Sequence, residues 1–100
     1  MPIALTSAQK RYLRGLAHGL KPVILVGGKG VTDGLVAETA SALQIHELIK
    51  VKVAAEDREA RDLAIATLAD AADAALIGRI GNIAVMFKPR AEKPLIALPR

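Results

Sequence analysis

The sequence predicts one compact α/β domain with a mixed four-stranded sheet and the element order α-β-α-β-α-β-β. The 100 residues are enough for one hydrophobic core, and an apolar fraction of 52% indicates a folded chain. Apolar residues recur with the periodicity of helices and strands in alternating segments. A helix separates the first two strands and a Gly-Asn pair separates the last two, so parallel and antiparallel pairing are both expected.

The first helix is predicted from Thr6 to about Gly19, because Thr6 and Gln9 have the spacing of a capping box. Its expected buried stripe consists of Leu13, Leu16, Ala17 and Leu20. A second stripe on the same helix is basic and consists of Arg11, Arg14, His18 and Lys21. No acidic residue occurs between positions 1 and 30, which favours a binding surface over a merely solvated face.

The first strand is predicted at Val23 to Val26, whose continuous apolar run is typical of a central strand covered on both faces. The sequence Gly27-Gly28-Lys29-Gly30 follows as a loop. A second helix is expected from about Asp33 to Gln44, with Thr32 or Asp33 as its N-cap. Its predicted inner stripe consists of Val36, Ala40 and Leu43.

The second half of the chain predicts three strands and one helix. Positions 48–54 alternate, with Ile49, Val51 and Val53 on one face and Lys50 and Lys52 on the other. Asp57 is the expected cap of a third helix, about residues 58–74, whose inward residues are Ile65, Leu68, Ala69 and Ala72. The pair Gly81-Asn82 predicts a hairpin between strands at 75–80 and 83–88, and the tail at 89–100 is expected to be extended.

The charges are distributed unevenly. The net charge is +4, but positions 56–73 contain six acidic and two basic residues, a balance of −4. The rest of the chain therefore carries +8. This asymmetry indicates one face turned toward a polyanion and makes the third helix the least suitable contact.

Several classes of function are disfavoured by composition. The chain has no cysteine, and its two histidines lack the spacing of metal ligands, so no metal site or disulfide is expected. No apolar run is long enough for a membrane span or a signal peptide, so a cytoplasmic location is expected. No catalytic constellation is visible, which favours a protein that is not an enzyme and uses no cofactor or small-molecule substrate.

The glycine loop has three possible interpretations. A dinucleotide fingerprint fails because Asp33 stands where the third glycine belongs, and no Lys-Ser/Thr pair completes a Walker loop. A purely structural turn needs one or two glycines, fewer than the four present in positions 27–34. The third interpretation is a G-x-x-G clamp like that of KH domains, which holds the backbone of single-stranded RNA.

Physical arguments favour the RNA clamp. Without Cβ atoms the loop can lie against a sugar-phosphate backbone, and the following helix offers N–H groups and about half a positive charge. Only two aromatic residues are present, which disfavours base-stacking platforms of the RRM or OB type. The predicted RNA-binding residues are Gly27, Gly28, Lys29, Gly30, Thr32, Arg11, Arg14, His18, Lys21, Lys50 and Lys52.

The chain resembles the CRM family (chloroplast RNA splicing and ribosome maturation), in particular its YhbY-like bacterial members. The resemblance is carried by Leu13-Arg14-Gly15-Leu16-Ala17-His18, the loop Gly27-Gly28-Lys29-Gly30 with Val31-Thr32-Asp33-Gly34, His46-Glu47-Leu48-Ile49-Lys50-Val51-Lys52, Glu56-Asp57-Arg58-Glu59 and Lys88-Pro89-Arg90. It runs nearly end to end.

The resemblance implies a fold similar to the C-terminal domain of bacterial translation initiation factor three. It also implies a role with ribosomal RNA in precursors of the large ribosomal subunit. Gly27 and Gly30 match the two loop glycines of the family, while Lys21, Lys50 and Lys52 match basic positions. Two alternatives remain open, a small nucleotide-binding α/β protein and a protein-interaction module that associates with ribosomes.

Overall fold

The structure is a computed structural model that describes residues 4–55 and 57–99. It has the predicted order of elements and forms a single compact domain. The elements are α1 (Ser7–Ala17), β1 (Ile24–Val26), α2 (Asp33–His46), β2 (Leu48–Val53), α3 (Arg58–Ala71), β3 (Ala75–Ile80) and β4 (Ile83–Phe87). Glu56, one of the residues that carry the family resemblance, lies outside the described residues.

The four strands form one mixed sheet in the order β1-β2-β4-β3. β1 runs parallel to β2, and β4 is antiparallel to both of its neighbours. The prediction that the first strand is central and doubly covered is wrong, because β1 lies at an edge and Leu25 is 58% exposed. Ile24 and Val26 face the main core, whereas the face that contains Leu25 is left open by the nearest helix.

Different helices cover the two faces of the sheet. α1 packs on β2 and β3, and its residues Leu13 and Ala17 close a small core there. α2 and α3 pack on the opposite face, where Leu43 and Ile65 belong to the larger core. The predicted alternation of β2 is confirmed, because its odd-numbered residues are buried on the α2/α3 face. The acid-rich α3 and the basic α1 therefore lie on opposite sides of the sheet.

The capping box of α1 is present, but the helix is shorter than predicted. The N–H of Gln9 donates to Oγ1 of Thr6 at 3.1 Å, and the N–H of Thr6 donates to Oε1 of Gln9 at 3.0 Å. The helix ends at Ala17. Leu16 and Leu20 were expected to be buried but are 42% and 40% exposed. The reason is that a short helix crossing a sheet buries only a narrow stripe of its surface.

The other two helices also differ slightly from prediction. α2 continues to His46 with Thr32 as N-cap, and α3 ends at Ala71. Ala40 of the predicted inner stripe is exposed, and the buried position is instead Thr39, whose hydroxyl donates to the carbonyl of Leu35 at 2.8 Å. The four predicted inward residues of α3 and its C-cap are all buried, namely Ile65, Leu68, Ala69 and Ala72.

Glu47 is a fully buried carboxylate that holds the tail. It accepts hydrogen bonds from the backbone N–H groups of Arg90 at 2.6 Å, Leu95 at 2.7 Å and Ile96 at 2.8 Å. Five extended residues would span about 16 Å, so a segment with both ends on one carboxylate must fold back. The prediction of an extended tail is therefore wrong over residues 90–96. Ile96 and Leu98 pack against the small core beneath α1.

None of the helices in the described part of the chain is both long enough and apolar enough to cross a membrane.

Candidate nucleic-acid interface

The glycine loop is a tight, exposed turn between β1 and α2. The N–H of Gly30 donates to the carbonyl of Gly27 at 3.0 Å and closes the turn. Gly30 has φ 71°, a left-handed conformation that favours glycine. A Cβ added to Gly27 or Gly28 would meet no atom within 4 Å. The outer side of the loop is therefore open to a ligand that approaches the backbone.

The N-terminus of α2 follows the loop at Thr32. The Thr32 hydroxyl oxygen accepts a hydrogen bond from the N–H of Leu35 at 3.1 Å, so it acts as the N-cap. The N–H of Leu35 is one of the free helix N–H groups that the sequence predicted to face a phosphate, and the Thr32 hydroxyl already occupies it. Asp33 adds an exposed acid in the first turn. The end of the helix is therefore less available to an anion than the turn formed by residues 27–30.

The loop lies at the end of the sheet where β2 also ends. The N–H of Ala54 donates to the carbonyl of Val26 at 2.9 Å, and the N–H of Val53 donates to that of Asn82 at 2.8 Å. These bonds bring together the glycine loop, the end of β2 and the turn between β3 and β4. Lys52 is exposed one residue before Val53. Lys52 is thus the predicted strand cation that lies nearest in the sheet to the loop.

Arg14 lies flat against β3 on the face that carries α1. Its Nη1 donates to the carbonyl of Ile77 at 3.3 Å, and its aliphatic part covers Gly78. The pairing of β3 with β4 is irregular between Leu76 and Gly78, which is the signature of a β-bulge. Arg14, His18 and Lys50 together line a small pocket of about 90 Å³ at this place. The structure therefore brings three of the predicted cationic groups into one cluster.

The other two members of the predicted basic stripe are separate from this cluster. Arg11 is exposed one helical turn before Arg14, about 4.5 Å farther along the axis of α1. Lys21 follows the end of α1 and precedes β1, so it lies at the opposite end of β1 from the glycine loop. It lines an apolar groove of about 390 Å³ together with Leu16, Leu20 and His46. A continuous stripe from Arg11 to Lys21 on one helix is therefore wrong.

Charge is segregated between the two sides of the sheet. α1 and all four strands contain no acidic residue, whereas α3 contains Glu59, Asp62 and Asp70. Within residues 4–55 and 57–99, the ion pairs join Arg79 and Arg58 to Asp62, and Lys88 to Asp73. None of these pairs involves the cations of the predicted site. Among the described residues, no carboxylate forms an ion pair with these basic side chains.

Two features of this surface were missed by reasoning from the sequence. Arg14 packs closely on Gly78 where it crosses β3, and an isolated glycine inside a strand pattern is a signal for such a close approach. Leu25 and Ile80 are exposed apolar residues at the same end of the sheet as the loop, on its two edge strands, and are 58% and 80% exposed. Their positions depend on strand order and register, which hydrophobic periodicity does not reveal.

These features define a small α/β domain with a mixed four-stranded sheet, a G-x-x-G loop, and a basic α1 that packs on strands without acidic residues. The family model of the CRS1/YhbY (CRM) domain matches residues 5–88, and the chain belongs to this family.

The chain is similar to proteins from distant bacteria. It is 48% identical to a Haemophilus influenzae protein named RNA-binding protein, over 96% of each chain. It is 39% identical to a Bacillus subtilis protein named probable RNA-binding protein YqeI, over 95% of this chain and 99% of that one. A solution structure of a hypothetical Staphylococcus aureus protein, described as a candidate RNA-binding protein, matches with a TM-score of 0.82 and 33% identity, over 96% and 100% of the two chains.

Proposed function

We propose that this chain binds RNA through the glycine loop and the cations on the α1 face of the sheet. The names of its relatives support an RNA ligand. The observation that carries the proposal is that α1 and the four strands contain no acidic residue, while Lys52 lies beside the loop and Arg14, His18 and Lys50 form a cluster. An RNA backbone on the loop would have its phosphates within the field of these cations.

The loop is proposed to contact the sugar-phosphate backbone and not the edges of bases. Its exposed residues Gly27 and Gly28 present backbone groups without a side chain that could read sequence. Lys29 adds one mobile cation at the tip. Contacts of this kind hold the strand in register, and sequence preference must then come from another part of the surface.

The direct test is a negative charge at the loop. Gly30 is unsuitable for this test because its φ of 71° would strain any side chain placed there. Gly28 has open space around it and is the better position. Gly28→Asp is expected to weaken RNA binding about tenfold or more, whereas the isosteric Gly28→Asn is expected to have a much smaller effect. Equal affinity of Gly28→Asp and the wild type, with the fold intact by circular dichroism, would contradict the loop contact.

We further propose that the bound RNA is ribosomal RNA in precursors of the large ribosomal subunit. The proposed role is assembly or maturation, without catalysis, in the cytoplasm. The support for this is the resemblance to the CRM family, whose name includes ribosome maturation. Gradient sedimentation of a lysate should place the protein with particles that precede the mature large subunit, and nucleotide crosslinks should map to their RNA. Absence of the protein from all ribosomal fractions would refute this role.

The rival interpretation as a nucleotide-binding protein has a simple test. A nucleotide at a hundred times its Kd should stabilise the fold by about 2.7 kcal/mol in a thermal-shift assay. We expect no such shift from ATP, GTP or NAD at millimolar concentration.

A further inference from the structure

Four side chains form a single row across the sheet. The row lies at the end of the sheet that carries the glycine loop and the β3–β4 turn. The strand pairing places Leu25 beside Lys52, Lys52 beside Ile83, and Ile83 beside Ile80. We call this set (Leu25, Lys52, Ile83 and Ile80) the terminal row. Neighbouring strands lie about 4.8 Å apart, so the row is about 14 Å long.

The terminal row points to the face that carries α1, but α1 leaves most of it uncovered and borders it only at Ile80, which lines the small pocket of Arg14 and His18. In the rows under the helix, Leu48, Ala75 and Phe87 are buried. In the terminal row, Leu25 and Ile80 are 58% and 80% exposed. One end of this face is therefore an uncovered apolar surface, of a kind that often marks a binding site.

The surroundings of the terminal row indicate what binds there. Lys52 lies in the middle of the row, and Lys50 follows two residues away on the same face, toward Arg14. No acidic residue occurs in α1 or in the four strands. A suitable ligand must therefore combine apolar surfaces with repeated negative charges. A strand of RNA has this composition, because flat bases alternate along it with phosphates.

The proposed binding to RNA is the basis of a narrower inference about the state of that RNA. We propose that the terminal row contacts the faces of unpaired bases, while the glycine loop, Lys50 and Lys52 hold the adjoining phosphates. In a duplex the faces of the bases are covered by their stacked neighbours, and only phosphates and groove edges are accessible. Leu25 and Ile80 can therefore contribute binding energy only with a single-stranded segment.

The experiment compares three labelled RNA ligands of one length: an unstructured single strand, the corresponding duplex, and a single strand with abasic sites in its centre. The wild-type protein is expected to bind the unmodified strand at least about fivefold more tightly than either of the others, which corresponds to the lower end of the effect of stacking one base on an aromatic side chain. The abasic strand keeps its phosphates, so a difference from the unmodified strand reports the bases alone.

Substitutions locate this effect on the sheet. Ile80→Thr and Leu25→Thr keep side chains that suit a strand, and each is expected to reduce the preference for the unmodified strand over the abasic one. Leu63→Gln is the matched control, because Leu63 is 69% exposed on α3, on the opposite side of the sheet. It is expected to leave both affinities unchanged. Urea unfolding of each variant checks that the fold is retained.

The possible results separate the inference from the proposed function. Equal affinity of the wild type for all three ligands would overturn the base contact but leave a backbone clamp intact. Failure to bind any RNA would refute the proposed function itself. If Ile80→Thr keeps normal RNA affinity but loses association with ribosomal particles, the terminal row contacts a protein instead, and the inference is wrong.

Discussion

Arg14 and Gly78 fit together so closely that a Cβ on Gly78 would lie 3.0 Å from Cδ of Arg14. The same arginine donates from Nη1 to the carbonyl of Ile77, the residue before Gly78. The irregular pairing of β3 exposes this carbonyl where the arginine can reach it. Gly78 therefore leaves room for the stem of Arg14, and the guanidinium uses one of its five N–H donors on the sheet.

This relationship predicts that Gly78→Ala weakens RNA binding through Arg14, although residue 78 itself need not touch the RNA. The added methyl forces the flexible stem of Arg14 to shift by a few tenths of an ångström, so it should reduce affinity by less than Arg14→Gln does. The double variant should be little worse than Arg14→Gln alone, because both changes act on the same contact. Gly15→Ala in α1 is the control, since its Cβ meets nothing within 4 Å. Additive losses in the double variant would show that Gly78 acts independently of Arg14.

A second prediction concerns Lys52 and the dependence of binding on salt. Lys52→Gln is expected to make the slope of log K against log salt shallower by about 0.7, the value for one phosphate contact of a single strand. Arg58→Gln removes the same charge from the exposed start of α3, on the other side of the sheet. It should leave the slope unchanged. Equal slopes for the two variants would mean that the salt dependence reports only the net charge of the protein, and would contradict a specific contact of Lys52 with a phosphate. Titrations at four or five salt concentrations measure both.

A third prediction concerns the stability of the fold. Glu47→Gln should lower the free energy of unfolding by about 1–3 kcal/mol, because an amide nitrogen replaces an acceptor oxygen that faces a buried N–H donor. Glu38→Gln provides the control on the exposed surface of α2 and should change stability by less than about 0.5 kcal/mol. Urea unfolding gives both values. A neutral effect of Glu47→Gln would mean that the tail is not held by the carboxylate.

The order of elements and most of their bounds were predictable because they depend on local signals. The capping box at Thr6 and Gln9, the alternation of β2 and the Gly81-Asn82 turn each involve residues close in sequence. All three are present in the structure. Local signals also identified the glycine loop, since four glycines in one short segment are visible without any knowledge of the fold.

The errors arose where a position depends on contacts distant in sequence. An apolar run such as Val23 to Val26 cannot indicate whether its strand is central, because β4 takes the place beside β2. Leu16 has the right spacing for burial but faces a groove at the side of α1. No local signal marks Glu47 as a buried residue, since its three N–H partners lie more than 40 positions later in the chain.

Glu47 also constrains the order in which the protein can fold. The pairing of β2 with β4 needs no residue after Phe87, whereas the carboxylate receives its hydrogen bonds only from Arg90, Leu95 and Ile96. Until these residues arrive the carboxylate lacks its donors and must stay hydrated, which is incompatible with its buried position. The small core beneath α1, which Ile96 and Leu98 complete, should therefore close after the sheet has formed. A chain truncated after Lys93 should consequently remain open to proteases beneath α1.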